Sequence, residues 1–103
     1  MASIQITKSA VQDLKEIFKF ISRKSYQNAE MVIRTIREKI STLDKHPQTG
    51  KIVREINNPS FREIKVFKYR VIYMHVFDNV SVLTIHHSSR LLSNNPHLKD
   101  FFE

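Results

Sequence analysis

The chain has 103 residues, 41% of them apolar and 26% charged, a balance that fits one domain (residues 1–103) with one modest core and excludes a disordered chain. It contains no cysteine, which excludes disulfides and thiol chemistry and is compatible with a cytoplasmic home. Seventeen Lys and Arg against ten Asp and Glu give a net charge of +7, which favours nucleic acid, an acidic protein or an anionic surface, unless it is only a solvated basic face. The amino-terminal MASIQITKSA has no long apolar run, so neither a signal peptide nor a membrane span is expected there. Ser3–Thr7 alternates, with Ile4 and Ile6 on one side, and reads as a short strand at an edge or inside a sheet. Ser9 and Gln12 have capping-box spacing and predict a helix opening at Ser9. Ala10, Leu14, Ile17, Phe18 and Ile21 make its apolar stripe, and it is expected to end between Ser22 and Lys24.

A second helix is expected after Ser25, with Ala29, Val32, Ile33, Ile36, Ile40 and Leu43 on its buried side. It stops before Pro47, because the residue preceding proline is pushed out of helical geometry. The connection between the helices is a few residues long, so they are expected antiparallel, as a hairpin on one side of a sheet. Neither stripe is covered by the other helix alone, so the sheet supplies the rest. Gly50 is the sole glycine, which excludes a glycine-rich phosphate loop and a dinucleotide fingerprint. Lys51–Ile56 and Phe61–Phe67 read as strands.

Tyr69–Phe77 and Val80–His87 read as a hairpin around Asp78-Asn79, residues that tolerate the positive φ of a tight turn. That loop sets Met74 opposite Leu83, Ile72 opposite Ile85 and Arg70 opposite His87, all on one face. Arg70 and His87 then sit together at the rim of an apolar row, where a cation and an imidazole are costly unless paired or used. Tyr69, Tyr73 and His86 alternate to the opposite face. After Arg90, Pro96 begins either a short helix anchored by Leu98, Phe101 and Phe102 or a frayed tail through Glu103. The order β-α-α-β-β-β-β predicts an α+β fold, a helical hairpin on a mostly antiparallel sheet.

The histidines lack metal-ligand spacing and no cofactor motif occurs, so neither metal nor cofactor is expected. No serine sits in the strand-turn-helix elbow of a hydrolase. Phe61 and Phe67 are either base-stacking residues or core. Arg70 is either a functional cation or the partner of Glu63 or Glu55 across the sheet.

Several segments together resemble the RelE/ParE superfamily of bacterial type II toxins. Ala10, Asp13, Leu14 and Ile17 match an A-x-x-D-L-x-x-I helix, and Ala29 opens the second helix. Leu43, Pro47 and Gly50 match the L-x-x-x-P-x-x-G link. Arg62-Glu63 before Tyr69-Arg70-Val71-Ile72-Tyr73 resembles the R-E…Y-R-I-x-Y core, and Ile85-His86-His87-Ser88-Ser89-Arg90 the closing I-x-H-x-x-R. The resemblance implies a growth-inhibiting toxin neutralised by an acidic antitoxin, acting on ribosome-bound mRNA as RelE-like members do or on DNA gyrase as ParE-like members do. A third reading is a non-catalytic module that engages only an antitoxin and operator DNA. RNA cleavage without metal needs a proton acceptor, cations for the phosphate and an acid for the leaving oxygen. For that chemistry the resemblance implies Arg70 as phosphate clamp, His87 as acid or base, and Arg62 and Arg90 as supporting cations. Lys51, Arg54, Lys65 and Lys68 are the further candidates for holding nucleic acid. The segment lacks the carboxyl-terminal tyrosine of RelE, and its lysine pair is replaced by Arg62 with Ile64 or Lys65. The A-x-x-D-L helix and the P-x-x-G link look ParE-like.

Overall fold

A computed structural model describes residues 1–102, so the expected tail is described except for Glu103, which lies outside the described residues. Five strands and two long helices follow the expected order: β1 (Ser3–Ile6), α1 (Lys8–Ser22), α2 (Tyr26–Ser41), β2 (Lys51–Ile52), β3 (Phe61–Val66), β4 (Tyr69–Val76) and β5 (Asn79–His87). They form one sheet in the order β1-β5-β4-β3-β2, antiparallel except that β1 runs parallel to β5 at an edge. The expected α+β architecture, helical hairpin on one face, is the one observed.

Thr7, not Ser9, opens the first helix. Its backbone is extended, and its hydroxyl accepts the Ala10 N–H while donating to the Val82 carbonyl at 2.8 Å. One side chain therefore ends the edge strand and begins the helix, which leaves Ser9 inside the first turn. Gln12 bonds forward to Glu16 instead of back to a cap. The second helix starts after Ser25 as expected, and the Ser25 hydroxyl caps it, accepting the Asn28 N–H at 3.1 Å. Ala10 and Leu14 from α1 and Val32, Ile36 and Ile40 from α2 are buried against Val66, Val71, Tyr73, Val80, Val82 and Ile85 of the sheet. Full burial of one such aliphatic side chain is worth about 2 kcal/mol, which is why the stripes dictate the docking of both helices. Phe18 lies at the side of this interface, edge-on to Tyr26 with centroids 5.4 Å apart.

The second sheet face has its own core. Val53, Phe61, Ile72, Leu92 and Leu98 are buried there, with Met74, Leu83 and Phe102 packed against them. Its cover is the carboxyl-terminal segment, which runs as two short 3-10 turns, Leu92–Asn94 and Lys99–Phe101. Phe101 rests on Phe61 with centroids 4.8 Å apart. Of the two phenylalanines considered for base stacking, Phe61 is core, while Phe67 is exposed in the β3–β4 turn.

Three expectations about the strands fail. The strand expected over Lys51–Ile56 pairs only through Ile52. Beyond it the chain turns, with Ile56 and Asn57 N–H groups both bonded to the Val53 carbonyl and Asn57 at φ 56°. The β4–β5 loop is Phe77-Asp78, one residue earlier than expected, with Phe77 supplying the positive φ of 52°. The third is a bulge: Ile72 faces Thr84 but Tyr73 faces Val82, leaving Leu83 as an extra residue on β5.

Candidate functional site

The bulge decides the geometry of the expected site. Moving the turn by one residue shifts each partner by two and leaves every side chain on its face. The extra residue at Leu83 shifts the far half of β5 by one more, and a one-residue slip exchanges the faces. Arg70 consequently faces His86, and His87 faces Tyr69. Ile85 joins the core under the helices, away from Ile72. The expected Arg70–His87 pairing is thus overturned: the two side chains lie on opposite sides of the sheet.

Arg70 occupies the face away from the helices. Its Nε and Nη2 donate to Glu63 at 2.7 and 2.5 Å, and its Nη1 and Nη2 donate to Glu55 at 2.8 and 2.9 Å. Glu63 comes from the neighbouring strand and Glu55 from the turn after β2. The guanidinium is a fork that satisfies two carboxylates at once, and only 12% of its side chain is exposed. The Arg70 hydrogen bonds hold the Glu55 carboxyl down from 4.5 to about 2, against the opposing effect of its burial. The two carboxylates in turn push Arg70 further up, Glu55 first. Lys51 and Lys65 are the Cα partners of Glu63 and Arg70, so both exposed lysines flank this clamp. Arg54, also exposed, adds its charge beside Glu55.

His86 is 6% exposed and belongs to a directional network. Asn95 Oδ1 accepts the His97 N–H, which turns Nδ2 toward Thr84 Oγ1 at 3.1 Å and His86 Nδ1 at 2.9 Å. Nδ1 must then be an acceptor, so His86 carries its proton on Nε2 and donates to the Arg90 carbonyl at 3.0 Å. The Thr84 hydroxyl donates to Asp13 Oδ2, which also takes the Ile85 N–H at 3.0 Å. Asp13 therefore caps the edge of β5 where β1 has ended. Asp13 Oδ1 also lies 3.3 Å from His97 Nε2.

His87 stands under the helix-covered face, edge-on to Tyr69 with centroids 5.5 Å apart. Its Nδ1 accepts the Ser89 N–H at 3.1 Å and faces the Ser89 hydroxyl at 2.7 Å. Burial pushes the Tyr69 phenol up. Arg62 shares that face, but its Nη1 donates to the Gly50 carbonyl at 2.8 Å. Beside it the Tyr73 hydroxyl donates to Pro47 O at 2.7 Å and accepts the Gly50 N–H at 3.0 Å. Arg62 and Tyr73 thus clamp the link between the second helix and the sheet. Burial, above all, raises the Tyr73 phenol. Arg90 is exposed past the end of β5, and Lys68, also exposed, accepts the Ser88 N–H on its carbonyl at 2.8 Å.

Of the four residues expected to share one catalytic centre, the fold gathers none into a single cluster. Arg70 is paired on one face, Arg62 and His87 lie at separate places on the other, and Arg90 is at the rim. The Asp13–Thr84–Asn95–His86 network had no signal in periodicity, apart from Asp13 recurring in the A-x-x-D-L stretch. Among the described residues no group of three or more His, Cys, Asp or Glu side chains is arranged to hold a metal ion. Among the described residues no helix is long and apolar enough to cross a membrane.

A helical hairpin on one face of a five-stranded, mostly antiparallel sheet is the RelE/ParE-type toxin fold. The model of the ParE toxin family of type II toxin–antitoxin systems (parDE) matches residues 4–92, so the chain belongs to that family. Among solved structures it resembles the chromosomal ParDE toxin–antitoxin system from P. aeruginosa, at TM-score 0.70 and 19% identity, covering 84% of this chain and 96% of that one. It also resembles the YoeB dimer from Staphylococcus aureus (TM-score 0.56, 12% identity, 84% and 95% covered). The YoeB–YefM complex from the same organism matches at TM-score 0.53 and 11% identity, with 84% and 97% covered. No curated protein matches the sequence.

Proposed function

We propose that this chain is the growth-inhibiting toxin of a type II toxin–antitoxin module and acts by binding its target, DNA gyrase, without cutting RNA itself. The observation that carries the reading is the state of Arg70. Its guanidinium is spent on Glu55 and Glu63, on the sheet face opposite His87. A phosphate clamp needs unspent donors, and an acid or base must stand within reach of the same phosphate. The family match and the A-x-x-D-L and P-x-x-G segments support the ParE-like side. An acidic antitoxin is the expected partner, because the net charge of +7 steers an opposite charge toward the toxin, and ParDE and YoeB–YefM are solved as toxin–antitoxin systems.

Two measurements test this reading. On induction in bacteria, thymidine incorporation is expected to fall before methionine incorporation. Purified toxin is expected to trap gyrase–DNA cleavage complexes. Earlier loss of protein synthesis, with mRNA cuts that disappear in folded Arg70→Ala or His87→Ala variants, would establish the RNA-cutting reading instead.

A further inference from the structure

We propose that the outer edge of β1 is a self-association surface, on which a second copy of this chain pairs antiparallel and joins two sheets into one. The hydrogen bonds fix the direction in which each residue of β1 points. The Ser3 N–H donates to the Asp78 carbonyl at 2.7 Å and the Thr7 N–H to the Val82 carbonyl at 3.1 Å, and the parallel register with β5 puts Gln5 in the same inward set. Ala2, Ile4 and Ile6 therefore aim their backbone groups out of the sheet. The Asp44 carbonyl accepts the first of these, the Ala2 N–H, at 2.7 Å. Among the described residues the N–H and C=O groups of Ile4 and Ile6 are bonded to no other element. Their side chains pack under the helices, so the strand is already ordered and pairing costs little further entropy.

The two edges of the sheet are finished differently. β2 opens with Lys51, ends at Ile52 and gives way to the turn in which Asn57 adopts φ 56°, and beyond it β3 exposes Lys65. A short strand, lysines and a turn are devices that stop strands adding to an edge. β1 is short too, but residues 1–7 carry no charged side chain and no proline. The register identifies the partner. Ile4 and Ile6 stand symmetrically about Gln5, so a two-fold axis at Gln5 sets Ile4 against Ile6 of the partner subunit, and the reverse. Each such pair exchanges both N–H···O bonds, which satisfies every free group of the edge. The isoleucines continue the apolar row across the seam. The Gln5 side chains, exposed on the sheet face away from the helices, meet at the axis as a close, non-hydrogen-bonded pair. Two copies of a chain with net charge +7 repel each other over most of their surface, and this uncharged strand lets them touch without setting like charges opposite. An acidic partner is steered instead to the surfaces that carry lysine and arginine. This surface is independent of the toxin's target, and the test uses the purified chain alone.

Two strands of this length bury less than about 1,200 Å², the size of a transient contact, so association is sought by sedimentation equilibrium between about 5 and 500 µM. The mass is expected to rise from monomer to dimer and to stop there. Gln5→Lys and Gln5→Glu each set like charges against themselves at the axis and are expected to weaken association at least about tenfold. An equimolar mixture of the two is expected to recover it to within about threefold. Gln12→Lys, an equal charge on the exposed side of α1, is expected to stay within about twofold of the unaltered chain. Unchanged thermal melting shows that the variants fold. Amide exchange by NMR is expected to slow at Ile4 and Ile6 as concentration rises, with Ser3, Gln5 and Thr7 unchanged. The proposal is overturned by a monomer at every concentration, by growth beyond the dimer, or by Gln5→Lys associating as the unaltered chain does. Dimers in which Ile4 and Ile6 exchange as fast as in the monomer overturn it as well. A monomer whose Ile4 and Ile6 amides slow only when a synthetic peptide of alternating Thr and Val is added would give the edge to a foreign strand, and this too overturns it.

Discussion

Arg70 shows how a side chain with an expected chemical role is committed by its neighbours. Its four short hydrogen bonds to Glu55 and Glu63 tie the turn after β2 to the middle of the sheet. Glu55 carries the pH dependence of this tie. Its folded carboxyl titrates at about 2, lowered from 4.5 chiefly by the Arg70 hydrogen bonds. A lowered folded value means that the contribution is complete above about 4.5 and is lost as the pH falls toward about 2. The stability difference between the unaltered chain and Glu55→Gln is therefore expected to be flat from neutral pH to about 5 and to shrink below about 4.5. Urea unfolding at stepped pH measures it. With 40% of the Glu55 side chain exposed, solvent screening keeps the effect small. Removal of Arg70 is the harsher change, because Arg70→Ala leaves the Glu63 carboxylate, 13% exposed, without its cation. A loss of about 2–3 kcal/mol is expected in that variant, and Arg70→Lys is expected to recover only part of it, since an ammonium lacks the fork.

At the scale of elements, the link from α2 to β2 is held by one glycine. Gly50 has an ordinary backbone conformation, and its requirement is space: a Cβ there would lie 2.6 Å from the Glu63 carbonyl and 2.6 Å from the Tyr73 hydroxyl. The Glu63 carbonyl is strand backbone and has little room to yield. Gly50→Ala is expected to cost about 1–3 kcal/mol, the range for overpacking, together with the hydrogen bonds that Tyr73 makes to Pro47 and Gly50. Thermal melting reads the loss. Tyr73→Phe, which keeps the ring and drops the hydroxyl, separates the hydrogen bonds from the crowding and is expected to cost about 1 kcal/mol. The hairpin turns carry a different strain. Phe67 and Phe77 each adopt positive φ at the first turn position, where glycine is the usual residue.

For the molecule as a whole, the sheet has two covered faces, and the second depends on the carboxyl-terminal segment. Asn95 is the hinge pin of that cover, joining Thr84, His86 and His97. Asn95→Ala leaves the buried His86 Nδ1 without a donor, a loss of about 1–3 kcal/mol. Hydrogen exchange is expected to rise over residues 91–102 while α1 and α2 keep their protection. Equal loss of protection in the helices would mean that the two faces unfold as one unit.

The residues themselves determined the element order, both helical stripes, the start of α2 after Ser25 and the packing of Tyr69 and Tyr73 away from Arg70, because these follow from spacing and local propensity. Pairing of Arg70 with Glu55 or Glu63 was legible as one of two readings. The separation of Arg70 from His87 was not. It follows from the one extra residue at Leu83, and β5 contains no glycine or proline to mark a bulge there. Two long-range fits meet at that bulge. Val80 and Val82 pack under the helices, while Thr84 and Ile85 reach the Asp13 carboxylate beyond the end of β1. Only the assembled sheet, with α1 already docked, brings those demands together, and so the tertiary structure alone decided which face each histidine occupies.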